Sequence, residues 1–252
     1  MKRDQNDQRI ALFIDFENLV TRTGIAAETF DLQPALDVLH EKGRIVFRRA
    51  YADWTRFAEA TQRLHDKGVE LVDVPPSTRA GKNGADVRLV IDALELAYLR
   101  EHIDTFVIAS GDSDFCPLAY KLREIGRTVI GMGVREATSP LFVKACDEFI
   151  YLRPASQRRT RDGGRERERE KATPKPASIP ETAREAVAAL LARATGPVNP
   201  SAIKEFIVRK EPDFDERDHG FSSFKKLIDA MEKDGLLKRE QGAKGQWYVV
   251  AP

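Results

Sequence analysis

The sequence is short of cysteine, of uncompensated charge and of long apolar runs, and each shortage closes off a class of protein. Only two cysteines occur in 252 residues, Cys116 and Cys146. They lie in apolar surroundings without Cys-x-x-Cys spacing, which argues against a disulfide framework or a thiolate zinc site and suits a reducing compartment. The 41 Lys and Arg nearly cancel the 40 Asp and Glu, leaving a net charge of +1. Global electrostatics therefore select no polyanionic partner, and any basic surface must be local. His40, His65, His102 and His219 are scattered singly, and none pairs with a serine or cysteine as a nucleophile's base. The first apolar run is only about seven residues long and Asp15 interrupts it, too short for a membrane span. A soluble, cytoplasmic protein with no membrane partner is expected. No Gly-x-Gly-x-x-Gly follows the first strand, and no Walker A sequence occurs. An aspartyl phosphatase would want Asp-x-Asp there, but Glu17 stands at that offset from Asp15.

What is present is enough apolar residue for a real core, 42%, beside a charged fraction of 32%. That charged share is above the usual quarter. From Ile10 to Leu152 short β-rich runs alternate with segments of helical period. Ile10–Phe16, Arg44–Tyr51, Val69–Val74, Thr105–Ser110 and Thr128–Val134 read as strands. Leu32–Lys42, Thr55–Lys67, Ala85–Arg100, Phe115–Ile125 and Pro140–Cys146 read as helices. The strands are continuous apolar runs, as expected when helices cover both faces of a parallel sheet. The sequence thus predicts an α/β three-layer sandwich with strand order 3-2-1-4-5, with its default site at the carboxyl ends of the strands.

Composition changes after residue 152. Residues 153–180 hold almost no large apolar side chain, and nine Arg or Lys stand against four Asp or Glu. Such a stretch cannot offset its ordering entropy by burial, so a flexible basic linker is expected. From 181 to 252 three amphipathic helices, within EAVAALLARA, PSAIKEFIVRK and FSSFKKLIDAMEKDG, precede two β-prone runs around Gly242–Gly245. That is the pattern of a small winged helix-turn-helix domain.

Acids cluster at the strand ends. Asp15 closes the first strand and Asn18 follows three residues later; either could serve chemistry or cap a turn. Ser110, Asp112 and Asp114 crowd the turn after the fourth strand. Capping explains one acid there, but two within three residues repel unless a cation or a proton intervenes. Asp86 sits in the first turn of the long helix, whose dipole favours an anion. That helix is expected to turn Val87, Val90, Ile91, Leu94, Ala97 and Tyr98 toward the sheet. Asp92 reads equally as an acid supporting the site or as a hydrogen-bonded core acid. In the order 3-2-1-4-5, strands 1 and 4 are neighbours, so Asp15 meets Asp112 where the strand order reverses. Asp15, Asp86, Asp112 and Asp114 in one crevice call for a hard cation with oxygen ligands, Mg²⁺ or Mn²⁺ rather than zinc.

FIDFENL, KNGADVRLVIDAL and FVIASGDSDFCPLAYKLREIGRTVIGMG, in this order, resemble the signature blocks of the NYN family of PIN-like, LabA-like ribonucleases. The resemblance spans about the first 150 residues. It implies metal ligation and catalysis by Asp15, Asp86, Asp112 and Asp114, with Asn18, Ser110 and Lys82 on the substrate side. The family more often has Lys-Gly-x-Asp, and the extra residue in Lys82-Asn83-Gly84 weakens the carry-over to Lys82. The region from about Glu181 to Val250 resembles the OST-HTH/LOTUS module through GFSSFKKLIDAMEKDG and GAKGQWYVV. That implies RNA binding, particularly to single-stranded or G-rich RNA. Lys225, Lys226, Lys238, Arg239 and Lys244 would form the phosphate-contacting surface, unless they are an ordinary solvated face. The expected activity is cleavage of RNA phosphodiester bonds. A catalytically inactive RNA-binding adaptor is the alternative, and a DNA-binding regulator is a third reading.

Overall fold

The computed structural model describes residues 8–21, 25–75, 83–152, 177–194, 196–241 and 246–252. These fall into two compact units, one on either side of the stretch 153–176. In the first, β1 (Gln8–Asp15), β2 (Gly43–Ala52), β3 (Glu70–Asp73), β4 (Thr105–Ala109), β5 (Thr128–Gly133) and β6 (Glu148–Tyr151) form one sheet in the order β3-β2-β1-β4-β5-β6. Every neighbouring pair is parallel. The α/β sandwich therefore stands, with a sixth strand that the sequence did not announce. Four residues, Glu148-Phe149-Ile150-Tyr151, give too short a pattern to separate a strand from an apolar loop.

Helices cover both faces because β1 is apolar without a break from Ile10 to Ile14. Ile10, Leu12 and Ile14 enter one core with α1 (Phe16–Thr21), α2 (Gln33–Lys42) and α3 (Ala58–Asp66). Ala11 and Phe13 enter the other with α4 (Gly84–Leu99), α5 (Cys116–Glu124) and α6 (Pro140–Ala145). The alternation of Cβ directions along the strand divides the residues between the two cores.

Two expectations need correction. The first strand stops at Asp15, and Phe16 opens α1 instead of ending the strand; its ring packs edge-on against Phe30 and Phe57. The long helix is also rotated from the expected face. Leu89, Asp92, Ala93 and Ala97 are its buried residues, whereas Val87, Ile91 and Tyr98 are exposed. The buried side takes Leu89, two alanines and one acid, and Arg49 and Tyr51 on β2 supply that acid with partners.

The second unit packs α7 (Glu181–Arg193), α8 (Pro200–Lys210) and α9 (Phe224–Lys233) against a hairpin of β7 (Lys238–Gln241) and β8 (Trp247–Val250). Its core includes Ala183, Val187, Ile203, Ile207, Leu227, Met231, Leu237 and Val249. Val198 and Val249 exchange two backbone hydrogen bonds of 2.8 Å, tying the segment before α8 to the hairpin. Asn199 caps α8 through the Ser201 N–H, with Pro200 at the start of the helix. No helix among the described residues is long and apolar enough to cross a membrane.

Candidate active site

The site lies at the carboxyl ends of β1 and β4, where the sheet changes direction of growth. Asp15, the last residue of β1, is 4% exposed. Its Oδ2 accepts a 2.9 Å hydrogen bond from the Ser110 hydroxyl, and its Oδ1 accepts the Asn18 backbone N–H at 3.2 Å. Ser110 is fully buried just past β4, and its Oγ accepts the Asp112 N–H at 3.2 Å. Asp112 in turn caps the short turn 113–115 by accepting the Asp114 N–H at 3.1 Å. The side-chain Oδ1 of Asn18 accepts the Gly111 N–H at 3.2 Å, which closes a ring of bonds between the two loops.

Gly111 is required by close approach. A Cβ there would lie 2.4 Å from the Ala137 carbonyl oxygen, and the Gly111 carbonyl accepts the Ser139 N–H at 2.9 Å. Any side chain would push the loop after β5 off the turn that carries Asp112.

Burial pushes the Asp15 carboxyl up to about 7, and the negative charges of Asp86 and Asp112 add to the rise. The Asn18 and Ser110 hydrogen bonds pull the other way and lose. Three carboxyl groups from β1, α4 and the β4 turn thus share one field. Asp86 and Asp112 are half-buried, and Asp114 is exposed. Among the described residues, no group of three His, Cys, Asp or Glu is gathered closely enough to hold a metal ion as it stands. The donors are carboxylate and hydroxyl oxygens, which suit a hard dication. Charge repulsion centred on Asp15 is what such an ion would relieve. Mg²⁺ sites commonly rest on one or two carboxylates completed by waters and substrate phosphates, so a finished three-acid cage is not needed. The residues fit a dication on those grounds.

The other expected residues divide. Ser110 is sealed from solvent, so it is placed to position Asp15 and Asp112 and not to touch a substrate. Asn18 locks the Gly111 turn. Lys82 and Lys244 lie outside the described residues. Asp92 resolves as the core acid: it accepts bonds from Arg49 Nη1 at 2.7 Å, the Tyr51 hydroxyl at 2.9 Å and Arg88 Nε at 3.0 Å. Although burial works to raise it, those three bonds hold its carboxyl below the usual range.

Sequence reasoning overlooked two further acids on the same edge. Asp53, just past β2, is buried and accepts the Thr55 N–H and hydroxyl; Asp73, ending β3, accepts the Trp54 N–H. Both follow apolar strands, the same signal that marked Asp15.

In the second unit, Lys225, Lys226 and Lys238 are exposed. Arg239 is not available as expected: it is committed to ion pairs with Asp229 and Glu232 of α9.

Comparison with known proteins identifies a domain in each unit. The NYN domain model matches residues 9–153, and the OST-HTH/LOTUS domain model matches residues 178–247. An uncharacterized protein of Methanocaldococcus jannaschii is 30% identical over 151 residues, which are 60% of this chain and 58% of that protein. The chain therefore spans little more than half the length of this relative. A crystal structure of a protein of unknown function from Vibrio parahaemolyticus matches with a TM-score of 0.48 and 22% identity, covering 61% of this chain and 97% of that one.

Proposed function

The chain belongs to the NYN domain family and carries an OST-HTH/LOTUS domain, and from that premise we propose that it is a metal-dependent ribonuclease cleaving RNA phosphodiester bonds. The observation that carries the reading is the buried Asp15 carboxyl held near neutrality by burial and by Asp86 and Asp112 at the β1–β4 crevice. Asp15, Asp86, Asp112 and Asp114 would hold Mg²⁺ or Mn²⁺, which supplies an activated water and stabilises the leaving oxygen. Ser110 and Asn18 fix the two loops so that the carboxylates need little reorganisation. Lys225, Lys226 and Lys238 would contact the phosphates of single-stranded or G-rich RNA, with Lys82 and Lys244 as further contacts.

A second reading is the RNA-binding adaptor, since among the described residues no three acids are gathered closely enough to hold a metal ion as they stand. Labelled single-stranded RNA, incubated with Mg²⁺, Mn²⁺ or EDTA, separates the two. Asp112→Asn and Asp86→Asn each keep side-chain shape but remove a charge and a strong metal ligand. Cleavage should fall on the order of 10²-fold or more. Circular dichroism and RNA binding in EDTA should be unchanged. If both variants cut at the wild-type rate, the catalytic reading fails and the adaptor replaces it.

A further inference from the structure

The outward side of α4 is the least expected surface in the first unit. Val87, Ile91 and Tyr98 are 56%, 55% and 58% exposed, and Leu94 between them is half-buried. At 100° per residue the four fall within about 60° of one another and form a single stripe. Tyr120, on α5, is also exposed. Scattered exposed apolar residues are ordinary, but a contiguous stripe marks a contact surface.

The spacing identifies the partner. Val87, Ile91, Leu94 and Tyr98 are separated by four, three and four residues, so the stripe is symmetric about the midpoint between Asp92 and Ala93. A second α4 laid antiparallel across a two-fold axis at that point sets Val87 opposite Tyr98 and Ile91 opposite Leu94, in both directions. The flanking charges are complementary in the same arrangement. Arg88 and Glu95, seven residues apart, run along one edge of the stripe and both are exposed; Arg88 gives its Nε to Asp92, and the rest of its half-exposed guanidinium is what a second copy would meet. Antiparallel pairing brings Arg88 of each copy toward Glu95 of the other. In a parallel pair this edge of one copy would lie on the opposite side of the seam from the same edge of the other, so the Arg88–Glu95 complementarity would be lost. A polyanion gains nothing here, because the edge carries one charge of each sign.

We propose that the outward face of α4 is the contact surface of an isologous dimer of this chain, with the two α4 helices antiparallel across the two-fold. Self-complementary pairing of one patch with itself is the normal form of a two-fold interface. Tyr98 and Tyr120 are the residue type enriched at such contacts. This inference is independent of the catalytic reading, since none of the stripe residues lies in the acidic crevice.

Sedimentation equilibrium of the full chain at tens of micromolar tests it. The wild type should sediment at twice the chain mass, and Ile91→Glu at the chain mass with unchanged circular dichroism and melting. Glu95→Arg, which leaves the Arg88–Asp92 pair intact, should shift the equilibrium toward monomer. The double variant Val87→Cys/Tyr98→Cys should form a disulfide-linked dimer on oxidation, well above either single variant. A wild-type monomer overturns the proposal. So does a dimer that survives Ile91→Glu and gives no excess cross-linking of the double cysteine variant. A dimer abolished only by loss of the second unit assigns the contact elsewhere and also overturns it.

Discussion

At the residue scale the proposed chemistry turns on Asp15. Its folded-state value of about 7 stands well above the ordinary 3.8. An acid raised in this way stabilises the fold only while protonated. The folded state therefore loses stability as pH rises from about 4 to about 7. The full cost is present above that window and comes to roughly 4 kcal/mol, at about 1.4 kcal/mol per unit. Asp15→Asn keeps the shape and removes the charge, so in EDTA it should melt higher than wild type. The gap should widen from pH 5 to pH 8. Added Mn²⁺ should raise the wild-type midpoint at pH 8 through ligand linkage and leave Asp15→Asn nearly unmoved. Melting curves at the two pH values, with and without Mn²⁺, decide this. A gap that stays constant with pH would mean that Asp15 is already ionised in the fold at pH 5. Gly111 makes a complementary case in which shape alone matters. Gly111→Ala should cost about 1–3 kcal/mol, because the added carbon meets the Ala137 carbonyl instead of open space. Urea unfolding measures it, and an unchanged midpoint would show that the loop after β5 yields freely.

At the scale of elements, α4 is held to the sheet by Asp92, which joins Arg49 and Tyr51 on β2 to Arg88 on the helix itself. Arg49 also pairs with Glu70 of β3, at 2.8 Å. Asp92→Asn would leave a partly buried guanidinium short of a partner, at a cost of about 2–4 kcal/mol, tempered because Arg49 keeps Glu70 and some solvent. The native carboxyl is held below its ordinary range, so its contribution exists above the unfolded value and fades as pH falls through it. Denaturant unfolding at pH 7 and pH 3 should show a larger penalty at the first than at the second. This same acid explains what sequence could and could not reveal. α4 carries apolar residues on most sides, and the sequence leaves Asp92 open between an acid supporting the site and a hydrogen-bonded core acid. Face assignment by periodicity therefore chose Val87, Ile91 and Tyr98 for the core, because it could not know that Arg49 and Tyr51 wait on β2. The parallel order β2-β1-β4 was legible, because unbroken apolar strands separated by helices admit few arrangements. It alone placed Asp15 beside the Ser110–Asp112 turn. The bonds through Ser110 and Asn18 were not legible, since they depend on which side of each loop faces inward. β6 and α1 are too short for any periodicity to mark.

At the scale of the whole molecule, the near-zero net charge conceals unlike parts. One unit gathers Asp15, Asp53, Asp73 and Asp112 along one sheet edge, which repels a phosphate backbone unless a dication is bound. The other exposes Lys225 and Lys226 at the start of α9, where Ser223 caps the helix through the Lys226 N–H. Affinity for RNA and chemistry on RNA should then respond to different variables. Each lysine that neutralises a phosphate of a single strand contributes about 0.7 to the slope of log affinity against log salt. Lys225→Ala/Lys226→Ala should therefore weaken RNA binding and lower that slope by about 1.4, with or without dication. Each unit has its own core, so the double variant should leave the melting of the first unit unchanged. On short RNA at saturating concentration, cleavage should proceed at the wild-type rate, because a tethered binding site raises local substrate concentration without entering the chemical step. Asp112→Asn should give the reverse pattern: an unchanged salt slope and lost turnover. Titrations of fluorescent RNA across a range of KCl concentrations, run beside single-turnover cleavage, separate the two. A double lysine variant with the wild-type slope would remove α9 from the RNA surface. One that lost turnover at saturating RNA would place those lysines in the chemistry, and the division of labour between the two units would have to be abandoned.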